Sequence, residues 1–468
     1  MSPIGTRPHA AVLAGLWLTI AILLSGESVA SELATVKQIP SLMESFRVDG
    51  LAVSAVSRDH ILVARGFGEM SNGDPYTSSS SCGLYSATKV LASLTYANLA
   101  RAGRLDLDAP LDDLLEDAPA DWSDIPFYRL LNHTSGITMV VNKPAFGDLL
   151  SDPNASNETI YRLVKGAPLD YQPGEFSRYR QSGYAVGEWI LSQRLGEGFD
   201  VLIKRYVTDP AGMTKTTHPA LSDESQPRLI LSAGGYQTTA DDMARLFLGI
   251  NSATVIGAGY WKMLLLDERH AFGNYSLGNI IDRRNGVLTL GHRGGGARAN
   301  IRYAPDQKIG VMVCTDDTQN NELTITLARM LIEEIYTGKT PKTPLLVALA
   351  DYETATGAEV VANYRYAARQ GERFDLSESE VLLNTIGYAL TERDDMSDAI
   401  AVFSLNVELF PSSPNTHDSL GEALLASGDV AGALAQYRKV LELDPGNVHA
   451  TAMIEKIQAT PAGAEGAH

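Results

Sequence analysis

Leu84-Tyr85-Ser86-Ala87-Thr88-Lys89-Val90-Leu91-Ala92-Ser93-Leu94 holds a Ser-x-x-Lys tetrad at the head of an Ala/Leu-rich run. A polar step opening an apolar segment predicts the first turn of a buried helix. Residues three apart on such a turn share a face, which sets the Lys89 amine beside the Ser86 hydroxyl. The start of a helix also presents backbone N–H groups without intrahelical partners, and these stabilise developing negative charge. A nucleophile, a base and an anion-stabilising environment thus fall within one turn.

Four further stretches accompany the tetrad. They are Leu131-Asn132-His133-Thr134-Ser135-Gly136-Ile137, Pro173 to Tyr184 (PGEFSRYRQSGY), Gly234-Gly235-Tyr236-Gln237-Thr238-Thr239 with Ala240-Asp241-Asp242-Met243-Ala244, and Gly291-His292-Arg293-Gly294-Gly295-Gly296. In this order the five resemble the serine β-lactamase and penicillin-binding superfamily, and the resemblance spans residues 35–337. The branch indicated holds class C β-lactamases, D-Ala-D-Ala peptidases, D-aminopeptidases and family VIII esterases.

The resemblance implies an α+β fold, a β-lactamase-like antiparallel sheet flanked by helices with an all-helical insertion. It implies Ser86, Lys89, Tyr179 and His292 as catalytic residues, and Gln181, Arg293, Gly294 and Gly295 as substrate-binding residues. Serine needs a neighbour to accept its proton, and a lysine can do so when burial lowers its pKa. Tyr179 is the other candidate base. The oxyanion would be held by the Ser86 N–H and one at Gly295.

Two positions depart from the family pattern. Tyr-x-Asn reads Tyr179-Arg180-Gln181, so the amide is one methylene longer. Lys-Thr-Gly of class C β-lactamases reads His292-Arg293-Gly294, which removes a lysine able to bind a carboxylate, because histidine is largely neutral at pH 7. Arg293 restores that charge if it points inward. A His-x-Gly motif is more typical of the esterase and D-aminopeptidase branches, so ester or amide hydrolysis ranks above β-lactam hydrolysis. His133 reads as a structural residue shaping a turn.

The remainder of the chain divides by composition. Arg7 and His9 precede an uncharged run from Ala10 to Leu24 and the small residues Ser28-Val29-Ala30, as in a secretory signal peptide of residues 1–30. Secretion or a periplasmic location is therefore expected, with no stable membrane span after cleavage. The hydrolase domain is assigned to 31–337 and a proline-punctuated linker to 338–345.

Residues 346–460 are expected to form an all-α, tetratricopeptide-like domain and 461–468 a flexible tail. Gly387 and Gly421, Ala399 and Ala433, Phe403 and Tyr437, and Pro411 and Pro445 each recur 34 residues apart. That period resembles the tetratricopeptide repeat, which implies a protein or peptide partner for the tail. A protein keeping the fold but holding a partner through this tail, with little turnover, is the alternative reading.

The formal net charge is −18, and residues 343–468 hold 7 basic against 19 acidic side chains. Such a surface excludes nucleic acid and anionic membrane as partners. No Cys/His grouping has metal-ligand spacing, so no metal and no cofactor is expected. The expected ligand is a small ester, amide or peptide substrate. Cys82 and Cys314 are the two cysteines, and both are expected as buried thiols.

Overall fold

The computed structural model describes residues 32–140, 144–223, 225–317, 322–349, 351, 352 and 354–459. The expected signal segment and the last residues of the tail lie outside them. The architecture is an eight-stranded, fully antiparallel sheet with helices on both faces. Its strands are β1 (Gly50–Ser57) and β2 (His60–Gly68), then β5 (Ala271–Phe272), β6 (Tyr275–Ser276), β7 (Asn279–Arg284), β8 (Val287–Gly294), β9 (Ala299–Ala304) and β10 (Ile309–Cys314). Two short strands, β3 (Cys82–Gly83) and β4 (Gln237–Thr238), pair separately.

The sheet order is β2-β1-β10-β9-β8-β7-β6-β5. Two hairpins, β1 with β2 and β9 with β10, lie side by side because β1 pairs with β10 from Ala52↔Cys314 to Ser57↔Ile309. Everything between β2 and β5 is inserted helical chain with two short strands.

Side chains alternate across a strand, and here both faces are covered, so β1 and β10 read as near-continuous apolar runs. Val53, Ala55, Val311 and Val313 meet the helices Ala34–Phe46 and Glu322–Thr337. Ala52, Val56, Ile301, Tyr303 and Met312 meet the other core, with Leu91, Phe247 and Trp261. The N-terminus of the Ala34–Phe46 helix is held by the buried Glu334, whose carboxylate accepts from Ala34 N (2.6 Å) and Thr35 N (2.8 Å).

Thr88–Arg101 is buried on every side from Thr88 to Leu99. A helix without a polar stripe belongs at the centre of a domain. Its Ala, Ser and Thr positions permit close neighbours, and Trp261 Nε1 donates to Ser93 Oγ at 2.9 Å.

The cysteines correct the expectation of free thiols. Cys82 and Cys314 are joined in a disulfide, with Cα atoms 6.4 Å apart and 232 residues between them. Cys82 lies in β3, four residues before Ser86, and Cys314 ends β10; only the folded sheet brings them together. The double variant Cys82→Ser, Cys314→Ser is expected to lose roughly 2–5 kcal/mol of stability. Chemical unfolding of the oxidised protein beside the variant checks this; coincident curves would refute it.

After the sheet, Thr343–Pro344 pairs in parallel with Phe374–Asp375, and Leu345 is buried. The helices Gly357–Arg369, Ser379–Glu392, Met396–Leu409, Pro414–Ala426, Val430–Leu443 and Val448–Ala459 follow. A Cβ on Gly387 would lie 2.4 Å from the Phe403 ring, and one on Gly421 3.2 Å from Tyr437. Residues recurring at 34 thus make corresponding helix contacts. Asp351 pairs with Arg47 at 2.7 Å. Among the described residues no helix is long and apolar enough to cross a membrane.

Candidate active site

Ser86 sits in the 3₁₀ turn Tyr85–Ala87 that leads into the Thr88–Arg101 helix. Tyr85 holds φ +47°, a left-handed conformation that costs a β-substituted residue about 1–2 kcal/mol. The turn is fixed from several sides. Leu84 N donates to Tyr236 O at 2.7 Å, and Tyr236 N donates to Thr88 Oγ1 at 3.2 Å. The Arg298 guanidinium covers the Tyr85 ring at 4.2 Å.

The end of β8 closes against the same turn. A Cβ on Gly294 would fall 2.0 Å from Leu84 O and 2.8 Å from Ala87 N, and one on Gly295 would fall 2.6 Å from the Tyr85 ring. Glycine at 294 therefore answers a packing demand, and Gly295 also has φ +59°. Together they lay the β8 backbone beside Ser86.

Lys89, one turn beyond Ser86 at the start of the helix, is fully buried. Its Nζ donates to Ala233 O at 2.5 Å and to Gln181 Oε1 at 3.0 Å, and lies 4.8 Å from the centroid of the Tyr179 ring. Among the described residues no carboxylate lies within 4 Å of it. Burial holds its pKa well below the ordinary lysine value of 10.5.

Ala233 is itself positioned. The neighbouring Ser232 donates to the buried Glu188 Oε1 through both its N–H and its hydroxyl, each at 2.5 Å, and Asn157 Nδ2 donates to Glu188 Oε2 at 2.8 Å.

Tyr179 exposes 45 % of its surface, while its hydroxyl is largely buried beside Ser86 and Gln181. Burial of that hydroxyl raises its pKa, and hydrogen bonding from Ser86 and Gln181 opposes the rise. Its ring packs on His133 at a centroid distance of 4.4 Å and on His292 at 6.0 Å.

His292 is 5 % exposed. Burial, reinforced by the field of Lys89, pushes its pKa down to about 3, so the ring is neutral. Its Nδ1 is in contact with Arg293 O, and its Nε2 is buried without a partner.

The sequence reading thus brought Ser86, Lys89, Tyr179, Gln181, His292, Gly294 and Gly295 to one place. Arg293 is the correction. Along β8 the side chains of Leu288, Leu290 and His292 share one face, while Val287, Thr289 and Arg293 line a pocket on the other. The alternation of a strand turns Arg293 away from the cleft, so it restores no charge there.

His133 and Tyr275 are the residues that sequence reasoning undervalued. His133 Nδ1 accepts from Arg180 N at 3.2 Å, which leaves the proton on Nε2, 3.1 Å from Tyr275 Oη. It shapes its turn, at φ +65°, and also forms the wall against Tyr179. Tyr275 packs edge-on to both Tyr179 and His292; no local pattern around it signals this. Tyr236 lines a separate cavity with Asp200 and Thr216.

Comparison with known proteins agrees with this geometry. The family model described as Beta-lactamase matches residues 36–333. Penicillin-binding protein 4* of Bacillus subtilis is 28% identical over 180 residues, 38% of this chain and 39% of that protein. PbpX of the same organism, also named as a penicillin-binding protein, is 27% identical over 129 residues, 28% of this chain and 30% of its own. The chain therefore spans well under half the length of the curated relatives it matches.

Among solved structures, the octameric penicillin-binding protein homologue from Pyrococcus abyssi superposes with a TM-score of 0.56 at 21% identity, covering 69% of this chain and 81% of that one. The D-stereospecific amidohydrolase from Streptomyces sp. gives 0.51 at 18% identity over 65% and 99%. At these identities the likeness is one of fold.

Proposed function

The chain belongs to the beta-lactamase family, a fold family of serine hydrolases, and from that premise we propose that it is an exported hydrolase acting through an acyl-serine on an ester or peptide-type amide. Lys89, its pKa lowered by burial, accepts the Ser86 proton as Oγ attacks the substrate carbonyl. The Ser86 and Gly295 N–H groups hold the resulting oxyanion. As the tetrahedral species collapses, the bond to the leaving group breaks and the proton passes to it from Lys89 through the Tyr179 phenol. Water then attacks the acyl-serine, and its proton returns along the same groups to release the acid and restore Ser86. Gln181 fixes the Lys89 amine and faces the substrate.

The observation that carries the reading is the buried, carboxylate-free Lys89 held beside the Ser86 turn. The neutral His292 and the outward Arg293 favour esters and peptide amides over β-lactams, because neither brings a cation to a β-lactam carboxylate. The amidohydrolase neighbour, described as D-stereospecific, supports D-configured amides as one substrate class to try. The Cys82–Cys314 disulfide supports export, since disulfides persist in oxidising compartments. The tail helices, read as tetratricopeptide-like, would offer a partner surface.

Intact-mass analysis after exposure to a fluorophosphonate, a p-nitrophenyl short-chain ester and a penicillin tests the proposal. A single adduct on Ser86, with ester turnover and slow penicillin hydrolysis, is expected. Absence of any adduct on folded protein would overturn the hydrolase reading. Penicillin turnover matching the ester would overturn the ranking.

A further inference from the structure

The face of the sheet opposite Ser86 holds a pocket of about 270 Å³ between β7, β8, β9 and the Glu322–Thr337 helix. Four arginines line it: Arg284, Arg293, Arg302 and Arg329. Such a concentration is unexpected in a chain of net charge −18. Asp282 and Glu333 are the carboxylates in its lining. From the tail, Glu378 reaches the rim and pairs with Arg284 and Arg329.

That leaves Arg293 and Arg302 with no carboxylate within 4 Å among the described residues. Arg302 is the deeper of the two. Its Nη1 makes one long bond, 3.4 Å to Ile280 O. Burial, with Arg293 and Arg329 adding to it and Asp282 opposing, pushes its pKa down to about 10. An arginine desolvated among other arginines is unfavourable until an anion joins it.

Beside it Asn300, 1 % exposed, uses Nδ2 on Thr324 O at 3.3 Å, while its Oδ1 is buried without a donor. The pocket thus presents two guanidinium groups without a carboxylate partner next to a buried acceptor without a donor.

We propose that this pocket is a second small-molecule site, taking a small oxyanion that carries a hydrogen-bond donor beside its charge. A carboxylate or phosphate oxygen pair meets the planar donor forks of Arg293 and Arg302. A neighbouring O–H of the same ligand donates to Asn300 Oδ1. A protonated phosphate and a 2-hydroxycarboxylate share this chemistry. The site is independent of the acyl-serine reading, since no group of the cleft enters it.

Thermal shift and titration calorimetry on the full chain test it, with inorganic phosphate, glycolate and acetate at ionic strength held constant by sodium chloride. Saturable stabilisation by phosphate or glycolate is expected; which of them binds identifies the headgroup. Arg293→Ala, at an exposed position, is expected to weaken binding roughly tenfold or more. Arg302→Met is expected to abolish it.

Ser86→Ala and protein labelled at Ser86 are expected to bind unchanged, which separates this site from the cleft. No saturable response beyond chloride, or full affinity in Arg293→Ala, would overturn the proposal. Acetate binding as tightly as glycolate would overturn the role given to Asn300.

Discussion

Ser86→Ala is expected to lower turnover of any substrate by about 10⁴-fold or more and to abolish covalent labelling, with the fold intact. The size of the loss follows from the covalent route. Without Oγ no acyl intermediate forms, and Lys89 and the oxyanion donors are left arranged around nothing that attacks. The fold should tolerate the change because the turn is held elsewhere, by Leu84 N on Tyr236 O, by Thr88 Oγ1 and by Arg298 over Tyr85. Stopped assays with the fluorophosphonate as a second readout decide it. Activity within about tenfold of wild type would remove Ser86 from the mechanism.

Lys89→Met is expected to cost about 10³-fold or more in kcat, and Lys89→Arg should not rescue it, because a guanidinium stays protonated. The wild-type rate should fall on acidification as the amine takes up a proton. Stability gives a second, independent readout. Lys89 has a folded pKa held below its unfolded value of 10.5, so between the two the unfolded chain binds a proton that the native state does not. The Lys89 contribution therefore makes wild-type stability rise with pH up to about 10.5.

Lys89→Met removes that slope. The variant should compare best with wild type at neutral pH and lose ground towards pH 10. The donors lost to Ala233 O and Gln181 Oε1 shift the whole curve without changing its slope. His292 is distinguishable, because its pKa of about 3 against 6.5 acts between those values, destabilising the protein only as pH falls below 6.5. A slope unchanged in Lys89→Met would mean that the wild-type amine is charged in the folded protein, and Lys89 would cease to be a candidate base.

Much of the fold was legible because it rests on local patterns. The two hairpins show as apolar runs around turns, Arg58-Asp59-His60 and Ala304-Pro305-Asp306-Gln307. The buried helix after Ser86 shows in its unbroken run of small and apolar residues. The Tyr179 and His292 motifs were legible through a resemblance, since nothing in either stretch alone says that it meets Ser86.

What the sequence by itself determined was the chemistry available: a serine and a lysine one turn apart, and glycines where β8 must approach them. Those relations span a few residues, and backbone geometry transmits them directly. Pairings across the chain were decided only by tertiary structure. The Cys82–Cys314 bond exists because β3 comes to lie beside the end of β10 across 232 residues. His133 and Tyr275 join the cleft because the turn after Leu131 and strand β6 converge on Tyr179. Arg293 leaves it because its neighbour His292 faces the cleft, and a strand turns successive side chains to opposite faces.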